Sequence, residues 1–186
     1  MMPTGLKVCK PTSIVVSGSG SSGSIRSDGG VEFSSSESVS LNGVFSADYD
    51  NYMIAIRFTD TSDSSTNNLW FRLRASGTDN STASSYTAQK LQANGTSVSG
   101  SRASNNNGVV QLSRDTLRSG STIHLYGPQL AQPTAVRSVS ASSTSSAMIT
   151  DYALTHNQST SYDGITLINQ GGWKLSGLVT VYGFTQ

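Results

Sequence analysis

Tyr52-Met53-Ile54-Ala55-Ile56-Arg57-Phe58 and Leu69-Trp70-Phe71-Arg72-Leu73-Arg74 are the two stretches that decide the fold class. In the first, Tyr52, Ile54, Ile56 and Phe58 take alternate positions, with Met53, Ala55 and Arg57 between them. In the second, Leu69, Phe71 and Leu73 alternate with Trp70, Arg72 and Arg74. Successive side chains of a strand point to opposite faces, so this period of two marks strands with one buried face. The same reading places Tyr52, Ile54, Ile56, Leu69, Phe71 and Leu73 in the core. It adds Ile123, Leu125, Ile165, Leu167, Val179 and Val181 from later segments.

Working outward, further strands are predicted over 38–44, 86–93, 108–112, 121–126, 136–141, 147–153, 164–168 and 176–184. Between them, 60–68, 76–85, 95–108 and 156–163 are rich in Gly, Asn, Asp, Ser and Thr, the residues that supply turns. No window carries the i, i+3, i+4, i+7 apolar stripe of a helix. The expectation is an all-β fold: an antiparallel β-sandwich, jelly-roll-like, of about eight to ten strands.

Composition agrees. Only 12 % of the 186 residues are charged, about half the usual share. Ser, Thr, Asn and Gly fill the gap, and their short polar side chains compete with helix hydrogen bonds. The net charge is +1 and the basic residues are scattered, so nucleic acid is not an expected partner. No stretch approaches the ~20 apolar residues that span a bilayer, so no membrane insertion is expected. The opening residues lack the apolar run of a secretion signal, which predicts a chain made in a cytoplasm and soluble there.

Residues 1–30 differ in character from 31–186. Val8, Cys9, Ile14, Val15 and Val16 give the opening an extended, partly apolar character, and Ser17-Gly18-Ser19-Gly20-Ser21-Ser22-Gly23-Ser24 has linker composition. A disordered terminus has the same composition. The reading adopted is a docking arm and linker over 1–30. Its apolar residues pair with, or fill a groove on, a neighbour, and the sandwich domain occupies 31–186. Cys9, the single cysteine, excludes an internal disulfide. It is expected as a buried or interface thiol, with a cross-link to a second chain as the alternative.

Chemistry is hard to assemble from these residues. His124 lies within an alternating strand, opposite in phase to Ile123 and Leu125, and reads as structural. His156 lies in the polar segment Thr155-His156-Asn157-Gln158-Ser159 and reads as a loop contact. The alternative for His156 is a metal site with one imidazole from each of three chains. No pair of carboxylates stands out as a general acid and base. The loop from Asp60 to Asn68 has oxygen ligands but not the spacing of a calcium loop. The expectation is no catalytic residue, no cofactor and no resident metal. Aromatic residues beside Asn and Asp suit sugar stacking, which makes Tyr49, Trp70, Tyr162 and Trp173 the candidate glycan contacts.

Several segments taken together carry a resemblance. They are Phe45-Ser46-Ala47-Asp48-Tyr49-Asp50-Asn51-Tyr52, Phe71-Arg72-Leu73-Arg74-Ala75-Ser76-Gly77-Thr78-Asp79, Leu125-Tyr126-Gly127-Pro128, and Gln132-Pro133-Thr134. The run Thr155-His156-Asn157-Gln158-Ser159-Thr160-Ser161-Tyr162-Asp163-Gly164 and the run Gly177-Leu178-Val179-Thr180-Val181-Tyr182-Gly183 complete the set. This set resembles a family of small virion structural proteins of tailed bacteriophages, common in phages of aquatic bacteria. The resemblance spans roughly residues 31–186. It implies a non-enzymatic structural protein of the virion, a tail or tail-fibre module presenting a β-sandwich for host attachment. The alternative it leaves open is a capsid decoration or head-fibre protein. The implied partners are other virion proteins, further copies in a homotrimer, and a glycan or protein of the host surface.

Overall fold

The structure is a computed structural model that describes residues 5–60, 68–106, 108, 118–142, 148–170 and 172–185. The described residues form strands and turns only. In chain order the strands are β1 (Leu6–Val8), β2 (Ser13–Ser17), β3 (Ser22–Ile25), β4 (Val31–Ser36), β5 (Ser38–Asn42), β6 (Asn51–Asp60), β7 (Asn68–Ala75) and β8 (Thr78–Asp79). Then come β9 (Tyr86–Asn94), β10 (Ser97–Asn106), β11 (Arg118–Tyr126), β12 (Thr134–Ser142), β13 (Ile149–His156), β14 (Gly164–Gln170) and β15 (Leu175–Phe184).

All pairings are antiparallel, and they make two sheets. The larger has ten strands in the order β10-β9-β13-β12-β11-β6-β15-β4-β3, with β1 beside β4 on the free edge of β15. The smaller has five, β2-β5-β14-β7-β8. The chain passes repeatedly from one sheet to the other, which gives the jelly-roll-like sandwich predicted from the alternation.

One core joins the two sheets. Tyr52, Ile54, Ile123, Leu125, Val179 and Val181 come from the larger sheet, and Leu41, Phe71, Leu73, Ile165 and Leu167 from the smaller; all are buried. All twelve residues assigned to the core by alternation are buried. Two buried tyrosine hydroxyls find their partners where the sheets meet. Tyr52 donates to the Ser46 carbonyl at 2.7 Å and accepts from the Ser46 amide at 2.8 Å. Tyr86, on the larger sheet, accepts from the Leu73 amide of the smaller at 3.1 Å.

The corners before β6 and β14 are alike in sequence, Asp48-Tyr49-Asp50-Asn51 and Ser161-Tyr162-Asp163-Gly164. Both dock on the turn after β11: Gly127 N donates to the Asp50 carbonyl at 2.9 Å, and Tyr162 N to the Pro128 carbonyl at 2.9 Å.

The N-terminal segment corrects the expected division at residue 30. It is extended, yet it is woven into the sandwich and does not stand away from it. β1 pairs with β15, β2 with β5, and β3 with β4. Ile14 and Val16 point inward and pack on this chain's own core, while Val15, in the opposite phase, is exposed. The Gly/Ser run is a tight connection. Ser21 N donates to the Gly18 carbonyl, and Gly18 and Gly20 take the positive φ values that glycine tolerates. A run of Gly and Ser suits a flexible linker and a turn with an edge strand equally, so composition alone does not separate them.

Two further segments depart from expectation. Residues 95–108, read as a loop, contain the ten-residue strand β10. Most of the strand predicted over 108–112, and residues 61–67 of the candidate calcium loop from Asp60 to Asn68, lie outside the described residues.

Phe71 is fully buried between the sheets. Phe71→Ala is expected to lower unfolding free energy by about 3–5 kcal/mol in urea titration. A chain lacking residues 1–30 loses three edge strands and uncovers the partners of Ile14 and Val16. It is expected to be less stable by about 3 kcal/mol or more, and full-length stability in that fragment would show the first thirty residues to be an independent arm after all.

Candidate functional site

His156 is placed differently from the loop contact expected of it. It closes β13, and the alternation of Thr150, Tyr152, Leu154 and His156 carries it to the inner face, where its exposure is 0 %. Its ring lies over Tyr86, centroids 4.2 Å apart, and meets Tyr162 at 5.3 Å. Nε2 and the Tyr162 hydroxyl are 2.5 Å apart. That hydroxyl also accepts from Asn80 Nδ2 at 2.7 Å. Enclosure of this kind favours the neutral imidazole. Burial pushes the His156 pKa down to about 4, against a weaker opposing pull from the Ser85 carbonyl. A residue enclosed in this way cannot meet its counterparts from two other chains, so the three-imidazole metal alternative is withdrawn.

The same contact removes Tyr162 from the candidate glycan residues: it is 1 % exposed and hydrogen-bonded inward. Tyr49 is half-buried, with its ring lying over the backbone of Gly183. A Cβ built there would come within 2.3 Å of the ring, so the close approach requires glycine. Trp70 is half-buried on β7, and Trp173 is exposed in the turn between β14 and β15. The four aromatic residues therefore belong to separate parts of the fold.

The assembly-arm residues divide as well. Ile14 and Val16 are internal, Val8 and Val15 are exposed, and Cys9 is partly buried against the core. Burial pushes the Cys9 thiol pKa up, which disfavours the thiolate needed for cross-linking. His124 is on the outer face of the larger sheet, its ring 6.1 Å from that of Phe184.

The surface that does gather residues is that outer face. Strand register defines its rows, because directly paired residues share a face. One row runs Val98, Ala93, Ile149, Ala141, Gly120, Arg57 and Leu178. The next runs Gly100, Leu91, Asp151, Val139, Thr122, Ala55 and Thr180, and a third ends in His124, Met53, Tyr182 and Val8. Among the described residues, nine large apolar side chains are exposed, and seven of them stand on this face: Leu6, Val8, Leu91, Val98, Tyr126, Val139 and Ile149. A shallow groove of about 660 Å³ runs along its middle, floored by Ala55, Gly120 and Ala141 and flanked by Val139, Leu178 and Tyr182. A second, more polar groove of about 530 Å³ continues it past Arg57 toward Arg118, Glu32 and Ser24.

The opposite face of the same strands is unusual in the other direction. Ser119, Ser121, Ser138, Ser140 and Ser142 are buried there. Ser121 bonds Ser140 at 2.9 Å and Ser138 at 3.3 Å, while the hydroxyls of Ser119 and Ser142 have no partner. Over the C-terminal half of β12 the usual polarity is inverted: serines face inward, and Val139 and Ala141 face out. Reading alternation as apolar-inside missed this surface. The available signal was parity. Val136 and Val139 are three apart, as are Ile149 and Tyr152, so one member of each pair must face outward.

His156 sets a pH dependence. Its pKa is depressed in the fold, from 6.5 to about 4, so its contribution is fully present above the unfolded value and is lost as pH falls through that interval. The loss expected is on the order of 2–3 kcal/mol. Urea unfolding at neutral pH and near pH 4 should show a smaller acid-induced drop in His156→Phe than in the parent chain; equal drops would place the titration elsewhere.

No protein-family profile and no curated protein sequence matches the chain. Among solved structures, the chain is similar to domain 4 of AbnA, a GH43 extracellular arabinanase from Geobacillus stearothermophilus, in complex with arabinotriose. The identity is 7 %, the match covers 98 % of this chain and 82 % of that one, and the TM-score is 0.37.

Proposed function

We propose that this chain is a non-enzymatic structural protein of a tailed-phage virion, a tail or tail-fibre module that presents its sandwich for attachment to a host surface. The observation that carries the assembly part of this reading is the apolar outer face of the ten-stranded sheet. Scattered exposed apolar residues are ordinary, but a contiguous set on one face marks a surface that another protein covers. The two histidines add support for a non-catalytic role. His156 is enclosed in the core, and His124 sits beside an aromatic ring on the sheet face. The phage assignment itself comes from the sequence resemblance over residues 31–186.

The integration of residues 6–25 into the sandwich alters how such a module would attach. With Ile14 and Val16 used internally, docking falls to the sandwich surface and not to a separate arm. The second reading, a capsid decoration or head-fibre protein, uses the same surface and differs in the neighbour it meets.

Gold-conjugated antibody against the purified chain, applied to intact particles, tests the assignment. Labelling confined to the tail is the expected result. Labelling over the head would select the second reading, and particles without label or chain would overturn both.

A further inference from the structure

We infer that Asn94-Gly95, at the tip of the β9–β10 hairpin, is a self-modifying site: the folded protein loses the Asn94 side-chain amide without an enzyme, and the turn ages into aspartate and isoaspartate. The inference is independent of the proposed function.

An asparagine followed by glycine holds the reactants of this chemistry side by side. The Gly95 backbone nitrogen, once its proton has passed to water or hydroxide, attacks Asn94 Cγ. The Cγ–Nδ2 bond breaks, Nδ2 leaves as ammonia, and a five-membered succinimide ring closes. Water then opens the ring. Cleavage of the new N–Cγ bond leaves aspartate. Cleavage of the bond between that nitrogen and the Asn94 main-chain carbonyl carbon leaves isoaspartate, and the chain then runs through the former side chain. Either route consumes one water, releases one ammonia and turns a neutral amide into a carboxylate. Glycine favours the attack because it has no side chain to shield its nitrogen.

The sequence holds three such pairs, at 42–43, 94–95 and 107–108. Both residues are described in the first two, and the fold treats those two oppositely. Asn94 ends β9 and pairs with Ser97, so Gly95 and Thr96 alone make the turn. Asn94 and Gly95 are exposed, Gly95 has φ 57°, and nothing lies within 4 Å of the place a Cβ would take there. Among the described residues, no hydrogen bond holds the Asn94 side chain or the Gly95 amide. The side chain is free to turn toward the attacking nitrogen, and water reaches the ring. Asn42 is held at every point. Its Nδ2 donates to Ser13 Oγ at 3.0 Å, and its Oδ1 is buried. Its carbonyl accepts from Thr12 N at 2.9 Å and from Thr12 Oγ1 at 3.1 Å. The Thr12 side chain also packs on Gly43, 2.5 Å from the place of an added Cβ. Ring closure at Asn42 must first release Ser13 and displace Thr12.

The place of the turn in the sheet sets the consequence. Isoaspartate adds one carbon to the backbone of a turn only two residues long, and the turn geometry fixes the register of the strands it joins. Among the described residues β10 pairs with β9 alone, and its side chains from Ser97 to Arg102 are exposed on both faces. That stretch of β10 is held by the β9 ladder and the turn, with no packing on the second sheet to keep it in place. The reaction therefore adds a negative charge at the hairpin tip and loosens β10, while the core between the two sheets stays intact.

The test is to hold the purified full-length chain at mildly alkaline pH, warm but below unfolding, and to map its peptides by mass spectrometry over time. Isoaspartate is read separately by methylation with an isoaspartyl methyltransferase. In the folded chain Asn94 is expected to convert roughly tenfold or more faster than Asn42, the gap reflecting the hydrogen bonds Asn42 must break. In urea the two rates should converge. Hydrogen exchange on the aged chain should be faster in β10 and unchanged in β6, β11 and β15. Asn94→Gln, whose longer side chain closes the ring poorly, should keep β10 protected through the same incubation. Equal conversion of Asn42 and Asn94 in the folded chain would overturn the inference. So would an Asn94 still intact in the folded chain after the urea-unfolded chain has reacted. Conversion of Asn94 with no change in β10 exchange would overturn the consequence drawn for the edge strand.

Discussion

The pairing of β6 with β11 on one side and β15 on the other is the contact on which the rest of the sandwich depends. Nine residue pairs join β6 to each neighbour, and the inward set of the three strands, Tyr52, Ile54, Ile123, Leu125, Val179 and Val181, is sealed from solvent. The five-stranded sheet closes over this layer with Phe71, Leu73, Ile165 and Leu167. The remaining strands extend the larger sheet to either side. Glycine fits where neighbouring strands press close: at Gly164 on β14, an added Cβ would lie 2.3 Å from the Leu41 carbonyl oxygen on the adjacent β5.

Among the described residues the larger sheet has ten strands and the smaller five, and part of the larger sheet's inner side, on β11 and β12, is lined by buried serines. The chain fills the inner side of that part with short hydroxyl side chains, hydrogen-bonded in part, and places its aliphatic side chains outward. Strand alternation couples the two faces, because every residue not facing in must face out. The apolar outer face and the serine-lined inner face are therefore one choice of register seen from two sides. That coupling links the fold to the proposed assembly role.

The fold was legible in the sequence to the extent that alternation was clean. β6, β7, β11, β14 and β15 each carry a single apolar parity through their centres, or nearly so, and the residues assigned to the core from them are buried. Legibility failed where composition served two purposes. Gly and Ser from 17 to 24 suggested a linker but form a turn and an edge strand, and the polar residues of β10 suggested a loop. Tyr162 and His156 were read from their polar neighbours in sequence, whereas strand parity and the Asn80 contact draw them inside. The outer face was visible only as mixed parity in β9, β12 and β13, a pattern that a search for one apolar face passes over.

β15 holds an interior place in the larger sheet although it follows every other described strand in the chain. It pairs with β6, more than a hundred residues earlier, and its far edge receives both β1 and β4. On a ribosome the first strands emerge with their central neighbour still unmade. β6 therefore waits with an open edge until residues 175–184 are synthesised, and the first thirty residues have no complete sheet to join. Contacts this distant in sequence make closure slow, since a long loop must be ordered before pairing offsets its entropy. Folding of the larger sheet thus waits on β15, and until that strand pairs the open edges need protection from wrong partners.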